Sequence, residues 1–149
     1  MIAGTVTQIR VAGPEDAATI ACHRYPSESG EHLAVYADWV PGTMSQGRYL
    51  GWLAVQGGRV IGGAGLLLLH WQPSREGPNP IRGRVVNVFV EPEHRRQGVA
   101  RALLQTLLTE ARNLQLGVLN LGSSAEGRDL YASFGFLASE SEMTLHLNS

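Results

Sequence analysis

Two arginines, a glutamine and a glycine stand together in one short stretch, Arg95-Arg96-Gln97-Gly98-Val99-Ala100, with Arg101 directly after it. Such a turn binds phosphate when a helix starts at it. The first amides of a helix have no intrahelical partners, and the aligned peptide dipoles add partial positive charge there. Gly98 removes a side chain where an anion would approach the backbone, and Arg95, Arg96 and Arg101 add full charges. The flanking residues supply the helix and a strand before it. Val99, Leu103, Leu104, Leu107, Leu108 and Ala111 recur at helical spacing. Val85-Val86-Asn87-Val88-Phe89-Val90 is a β-prone run that Glu91-Pro92 ends, because proline has no amide donor. The order is strand, basic turn, helix. A lone glycine turn would be an ordinary connection beside a solvated arginine pair, so the wider context has to carry the reading.

Composition excludes several other chemistries. The chain has 149 residues, enough for one domain with a real core, and a formal net charge of −1, which argues against a generic nucleic-acid or membrane-surface binder. Its twelve basic residues are all arginine, so a P-loop lysine and a Schiff-base lysine are ruled out. Cys22 is the single cysteine, which excludes an internal disulfide and a cysteine-based zinc site. No basic region followed by a long apolar run marks a leader, and Leu66 to Leu69 is too short to span a bilayer. A cytoplasmic domain without metal, membrane or nucleic acid is expected.

The remaining elements follow in order. Thr5 to Val11 reads as a first strand, and Pro14-Glu15-Asp16 opens a helix that reaches about Arg24. Tyr25 to Gly30 breaks it, and a second helix runs from Glu31 to Trp39, ending near Pro41-Gly42. Tyr49–Gln56 and Val60–Leu69 form a hairpin about Gly57-Gly58. Gly62, Gly63 and Gly65 thin its second strand and let a neighbour pack closely. His70 to Gly83 is a proline-rich loop in which His70 and Trp71 either line a pocket or fasten the loop down. Val118–Leu121 is a short strand parallel to the central one, since a helix crosses between them. Ser123 or Ser124 caps the next helix, which buries Leu130, Tyr131 and Phe134 and ends at Gly135. Met143 to Leu147 alternates as a last strand.

The turn matches the (Q/R)-x-x-G-x-(G/A) pattern, and Leu130-Tyr131 through Gly135-Phe136 supplies a second element, L-Y-x-x-x-G-F. Together, in this order, they resemble the GNAT acetyltransferases, over almost the whole chain and most specifically in its second half. The resemblance implies an α/β fold in a single domain over residues 1–149. Its mixed, mostly antiparallel sheet would have six to seven strands with a splayed parallel pair, flanked by about four helices. It also implies acetyl-coenzyme A as cosubstrate. Pantetheine would pair with the backbone of Val88, Phe89 and Val90, and an amide near Phe89 or Val90 would polarise the acetyl carbonyl. Pyrophosphate would sit on Arg96, Gln97, Gly98, Val99 and Ala100, with Arg95 and Arg101 beside it. Ser124, Gly127 and Arg128 would border the cofactor from the other side.

In that setting Tyr131 is the candidate general acid for the leaving thiolate, although an isolated tyrosine on an apolar helix face is usually core. Asn87 is a polar residue inside an apolar strand. It either positions a water or the acceptor, or makes a structural side-chain bond. The loop between the first two helices would overhang the acceptor, which makes His23, Tyr25, Glu28 and His32 candidate contacts, against ordinary surface polarity. Glu28, Glu31, His32, His70, Glu91 and Glu142 are the base candidates, with a water chain as the alternative. The expected activity is acetyl transfer to a primary amine of a small molecule or peptide by direct attack in a ternary complex. A non-catalytic acyl-coenzyme A sensor and a transferase using another acyl donor remain open, and a homodimer is a weaker family expectation.

Overall fold

In the computed structural model, which describes residues 6–148, five strands form one sheet in the order β1-β2-β3-β4-β5. β1 is Thr7–Val11, β2 Tyr49–Gln56, β3 Arg59–His70, β4 Ile81–Val90 and β5 Leu119–Asn120. The helices are α1 Ala17–Arg24, α2 Glu31–Ser45, α3 Val99–Asn113 and α4 Arg128–Ser133. The first three pairings are antiparallel and β4–β5 is parallel, as the α3 crossover requires. Among the described residues no helix is long and apolar enough to cross a membrane.

Period-two alternation along the strands divides the core between two faces. Ile61, Leu66 and Val85 face α3, whose Leu103, Leu104 and Leu107 are completely buried. Leu53 and Tyr49 face the other way, against Ile20 of α1 and Val40 of α2. The hairpin turn has Gly57 at φ 57° and Gly58 at φ 78°, the left-handed pair that a two-residue connection demands. Asp16, at the entry to α1, accepts two 2.9 Å bonds from Arg10 and one from the Gly13 amide, which locks β1 to the helix start.

Four expectations need correction. The first strand begins at Thr7, while Thr5 lies outside the described residues. α2 runs on through Pro41 to Ser45. Proline's fixed φ is compatible with a helix, and the buried Val40 and Thr43, with the Thr43 hydroxyl donating to the Trp39 carbonyl at 2.9 Å, hold the turn that loses an amide bond. α4 starts only after Gly127, because the Ser124 hydroxyl accepts from the Gly127 amide in the preceding turn. Most consequentially, Met143 to Leu147 is not a strand, so the sheet has five strands rather than six to seven. Alternation specifies which side chains share a face, but a strand forms only where an edge accepts its backbone.

Candidate active site

The parallel pair opens a gap. β4 and β5 pair only at Gly83↔Leu119 and Arg84↔Asn120, after which β4 continues alone on that side to Val90. Gly83 permits the close approach, since a Cβ there would collide with Leu119 and Leu66. Below the gap, the chain passes through Pro92–His94 into the basic turn. Arg96 (φ 63°) and Gly98 (φ 82°) are both left-handed, and they swing successive amides to one side at the start of the fifteen-residue α3. Among the described residues, the amides of Arg96, Gln97, Gly98, Val99 and Ala100 meet no protein acceptor. A Cβ built on Gly98 meets nothing within 4 Å, so the space over these amides is open. These are the properties of a cradle for a phosphate oxyanion.

The turn's side chains are used in different ways. Arg95 Nε donates to the Val90 carbonyl at 3.0 Å, which fastens the turn to the end of β4. Arg101 donates to Ser133 Oγ at 3.3 Å and lies 5.2 Å over the Phe134 ring, so it ties α3 to α4. Gln97 makes a long 3.5 Å contact with the Glu93 carbonyl. Arg96 is exposed. On the far side of the gap, Gly127 leaves room for the Tyr131 ring, whose Cε2 would be 3.0 Å from a Cβ at that position. Ser124 closes the turn before α4, and Arg128 is exposed on its first turn. Tyr131 is half-buried, edge-on to Phe136 at 6.0 Å, and burial raises its phenol pKa. It therefore carries its proton at neutral pH.

β4 also carries a bulge. Gly63 faces Phe89 and Gly65 faces Val86, so three steps along β4 match two along β3. The extra residue falls at Asn87–Val88, and Asn87 adopts φ 57°, which asparagine tolerates better than most residues. Its Nδ2 donates to Tyr36 Oη and Tyr49 Oη, both at 2.9 Å. Its Oδ1 is buried with no partner among the described residues. Tyr49 is 2% exposed, and burial pushes its phenol well above the ordinary range. The thin G-G-A-G strand makes room for this arrangement. A Cβ on Gly65 would strike the Tyr49 hydroxyl, and one on Gly63 would lie 2.8 Å from His23 Nδ1. His23 stacks on Phe89 at 4.9 Å, and burial lowers its pKa from 6.5 to about 4.

Beside the Asn87–Tyr36 bond lies an aromatic groove of about 520 Å³, lined by Tyr25, just after α1, and by Glu31, His32, Val35, Tyr36 and Trp39 of α2. Tyr36 lies 5.2 Å from Trp39, and Trp39 is edge-on to Tyr49 at 6.2 Å. The Arg24 guanidinium covers Tyr25 and Tyr36 at 5.2 and 5.0 Å. His32 and Glu28 pair at 3.2 Å near the opening. Of the groove residues, the sequence points to Tyr25, Glu31 and His32, with Glu28 as the partner of His32, but not to Tyr36 and Trp39, nor to Tyr49 behind them. The other base candidates lie elsewhere. Glu91 is held by Arg59 at 2.6 Å, and His70 and Glu142 are exposed. Trp71 lies under Arg82 at 4.9 Å, which fastens the loop rather than lining the groove. Glu91, Glu93 and His94 bring ligand atoms within 4.8 Å of one another, but Arg59 already places its positive charge there, 3.5 Å from Glu93.

A bulged strand splayed from a parallel neighbour over an amide cradle is the architecture of the GNAT acetyltransferases. The Acetyltransferase (GNAT) family model matches residues 15–136, and the chain belongs to that family. It is 36% identical over 92 residues to human N-acetyltransferase 8, a match covering 57% of this chain and 37% of that protein. The two curated relatives it matches are covered over 37% and 59% of their lengths. Among solved structures it is similar to a GCN5-related N-acetyltransferase from Ralstonia eutropha, at 25% identity and TM-score 0.85, covering 97% of this chain and 100% of that one. A predicted acetyltransferase from Clostridium acetobutylicum, solved with acetyl-CoA, shares the fold at TM-score 0.87 and 19% identity, covering 95% of this chain and 97% of that one.

Proposed function

We propose that the protein transfers the acetyl group of acetyl-coenzyme A to a primary amine of a small molecule or peptide by direct attack in a ternary complex, in the cytoplasm. The observation that carries this reading is the unpaired half of β4 ending on five unsatisfied amides. An extended pantetheine arm matches the open backbone of Val88 to Val90, and a pyrophosphate matches the amides of Arg96 to Ala100.

The acceptor enters through the aromatic groove and meets the bulge at Asn87. An alkylamine of pKa about 10.4 is neutral only about once in 10³ molecules at pH 7, so it must lose a proton before it attacks. Asn87 cannot take that proton. Its free Oδ1 orients the amine or a water, and the proton leaves through water towards the groove mouth. The new N–C bond forms first and moves the carbonyl π pair onto oxygen, an amide at the bulge stabilises that oxyanion, and its collapse breaks the C–S bond. Tyr131 protonates the departing thiolate and recovers its proton from solvent. His23 is a poor base because its burial leaves little affinity for a proton.

The test is thiol release from acetyl-, propionyl- and succinyl-coenzyme A against a panel of amines. Acceptor-dependent release, fastest with the acetyl donor, is the expected result. Binding of acetyl-coenzyme A without turnover on any amine would instead make the chain an acyl-coenzyme A sensor.

A further inference from the structure

We propose, resting on the transfer reading, that the acceptor is a free α-amino acid with a large apolar side chain. Its carboxylate pairs with Arg24, its amine faces Asn87, and its side chain lies in the aromatic groove. Arg24 is the last residue of α1 and is held rather than free: its Nε donates to Tyr25 Oη at 3.0 Å, and its guanidinium covers the Tyr25 and Tyr36 rings. Yet the residue is exposed, and among the described residues it pairs with no carboxylate. A guanidinium fixed through Nε keeps both Nη groups free, and that planar fork matches a carboxylate.

The fork stands one ring away from the bulge. Tyr36, under Arg24, accepts from Asn87 Nδ2 at 2.9 Å, and Asn87 Oδ1 is buried without a partner. A ligand that joins Arg24 to Oδ1 therefore carries its anion and its amine close together, as an α-amino acid does across one carbon. The groove beside them takes the rest. Val35 and Trp39 remain 62 and 39% exposed there, and covering them rewards an apolar side chain. The volume of about 520 Å³ suits a small molecule. A polyamine fits less well, because a guanidinium already occupies the two tyrosine faces that a second cation would seek. A peptide N-terminus has an uncharged amide where the carboxylate would be. The acids stand apart from the fork: Glu28 is engaged by His32 at 3.2 Å, and Glu31 precedes Tyr36 by about 7.5 Å along α2.

Two measurements test this: calorimetric titration of the coenzyme A-loaded chain with L-phenylalanine, and thiol release from acetyl-coenzyme A with L-phenylalanine, L-alanine, phenethylamine and spermidine. L-phenylalanine should bind, and its kcat/KM should exceed that of each other amine at least about 10-fold. Arg24→Gln, at an exposed position, should remove the preference for L-phenylalanine over phenethylamine, and Arg24→Lys should restore part of it. Trp39→Ala should remove the preference over L-alanine. Phenethylamine or spermidine turned over as fast as L-phenylalanine overturns the proposal and leaves acetyl transfer standing. L-phenylalanine that binds while no amine is acetylated overturns the transfer reading and upholds the amino-acid pocket. Failure of L-phenylalanine to bind, or an undiminished carboxylate preference in Arg24→Gln, overturns the proposal as well.

Discussion

The two ends of the candidate site are built from different materials. The proposed donor end is backbone: a splayed strand, two left-handed residues and the free amides of one helix start. The proposed acceptor end is side chain. Asn87 lies between two tyrosines, Phe89 is stacked with His23, and an aromatic groove is contributed by α2 and Tyr25. Under the proposed function, the first kind of site would recognise what every acyl-coenzyme A shares. The second varies with a few substitutions and leaves the donor end untouched. The proposed function is therefore divided between a generic half and a specific half, and variants should separate them.

The largest effect belongs to the donor end. Gly98→Glu adds a carboxylate over the amides and strains a left-handed residue, so acetyl-coenzyme A affinity should fall at least about 100-fold by calorimetry. Circular dichroism would verify that the variant is folded. Tyr131→Phe comes next, with kcat reduced about 10²-fold and the cofactor Kd unchanged. An equal loss in both quantities would show that the ring packs against the cofactor rather than donating a proton. Asn87→Ala should spare the cofactor Kd and raise the acceptor KM about 10-fold. It should also cost about 1–3 kcal/mol of stability in urea, because two phenols lose a buried donor.

The smallest effect is in pH. The folded pKa of His23 lies below its ordinary 6.5, at about 4, so the unfolded chain takes up the proton first. His23 therefore contributes no pH dependence above about 6.5. Stability should decline as the pH falls from there towards 4, by at most about 1.4 kcal/mol per pH unit. Urea midpoints of His23→Gln should be flatter than wild type across that window. Parallel curves would mean that the imidazole is not kept neutral by its burial.

The same division explains what could be read in the sequence. The turn from Arg95 to Arg101, the Gly57-Gly58 hairpin and the stripe of α3 depend on residues close together in the chain, and each formed where spacing placed it. The acceptor end depends on contacts across 51 residues, Asn87 to Tyr36, and across 38, Asn87 to Tyr49. Neither tyrosine carries a local sign of that role. Asn87 did carry one, as a turn-tolerant polar residue inside a β run, and that run proved to bulge there. The helix continues through Pro41 because burial of Val40 and Thr43 outweighs a local stop signal. Met143 to Leu147 shows the reverse case: its alternation is legible, but its partner is not encoded nearby.

The most direct test of the account is calorimetric titration of the purified chain with acetyl-coenzyme A and, separately, with free coenzyme A. Because the proposed cradle would hold the pyrophosphate and pantetheine that both ligands share, both should bind at micromolar concentration or below. If a folded, cofactor-free sample takes up neither, the amides of Arg96 to Ala100 are not a donor site and the central claim fails.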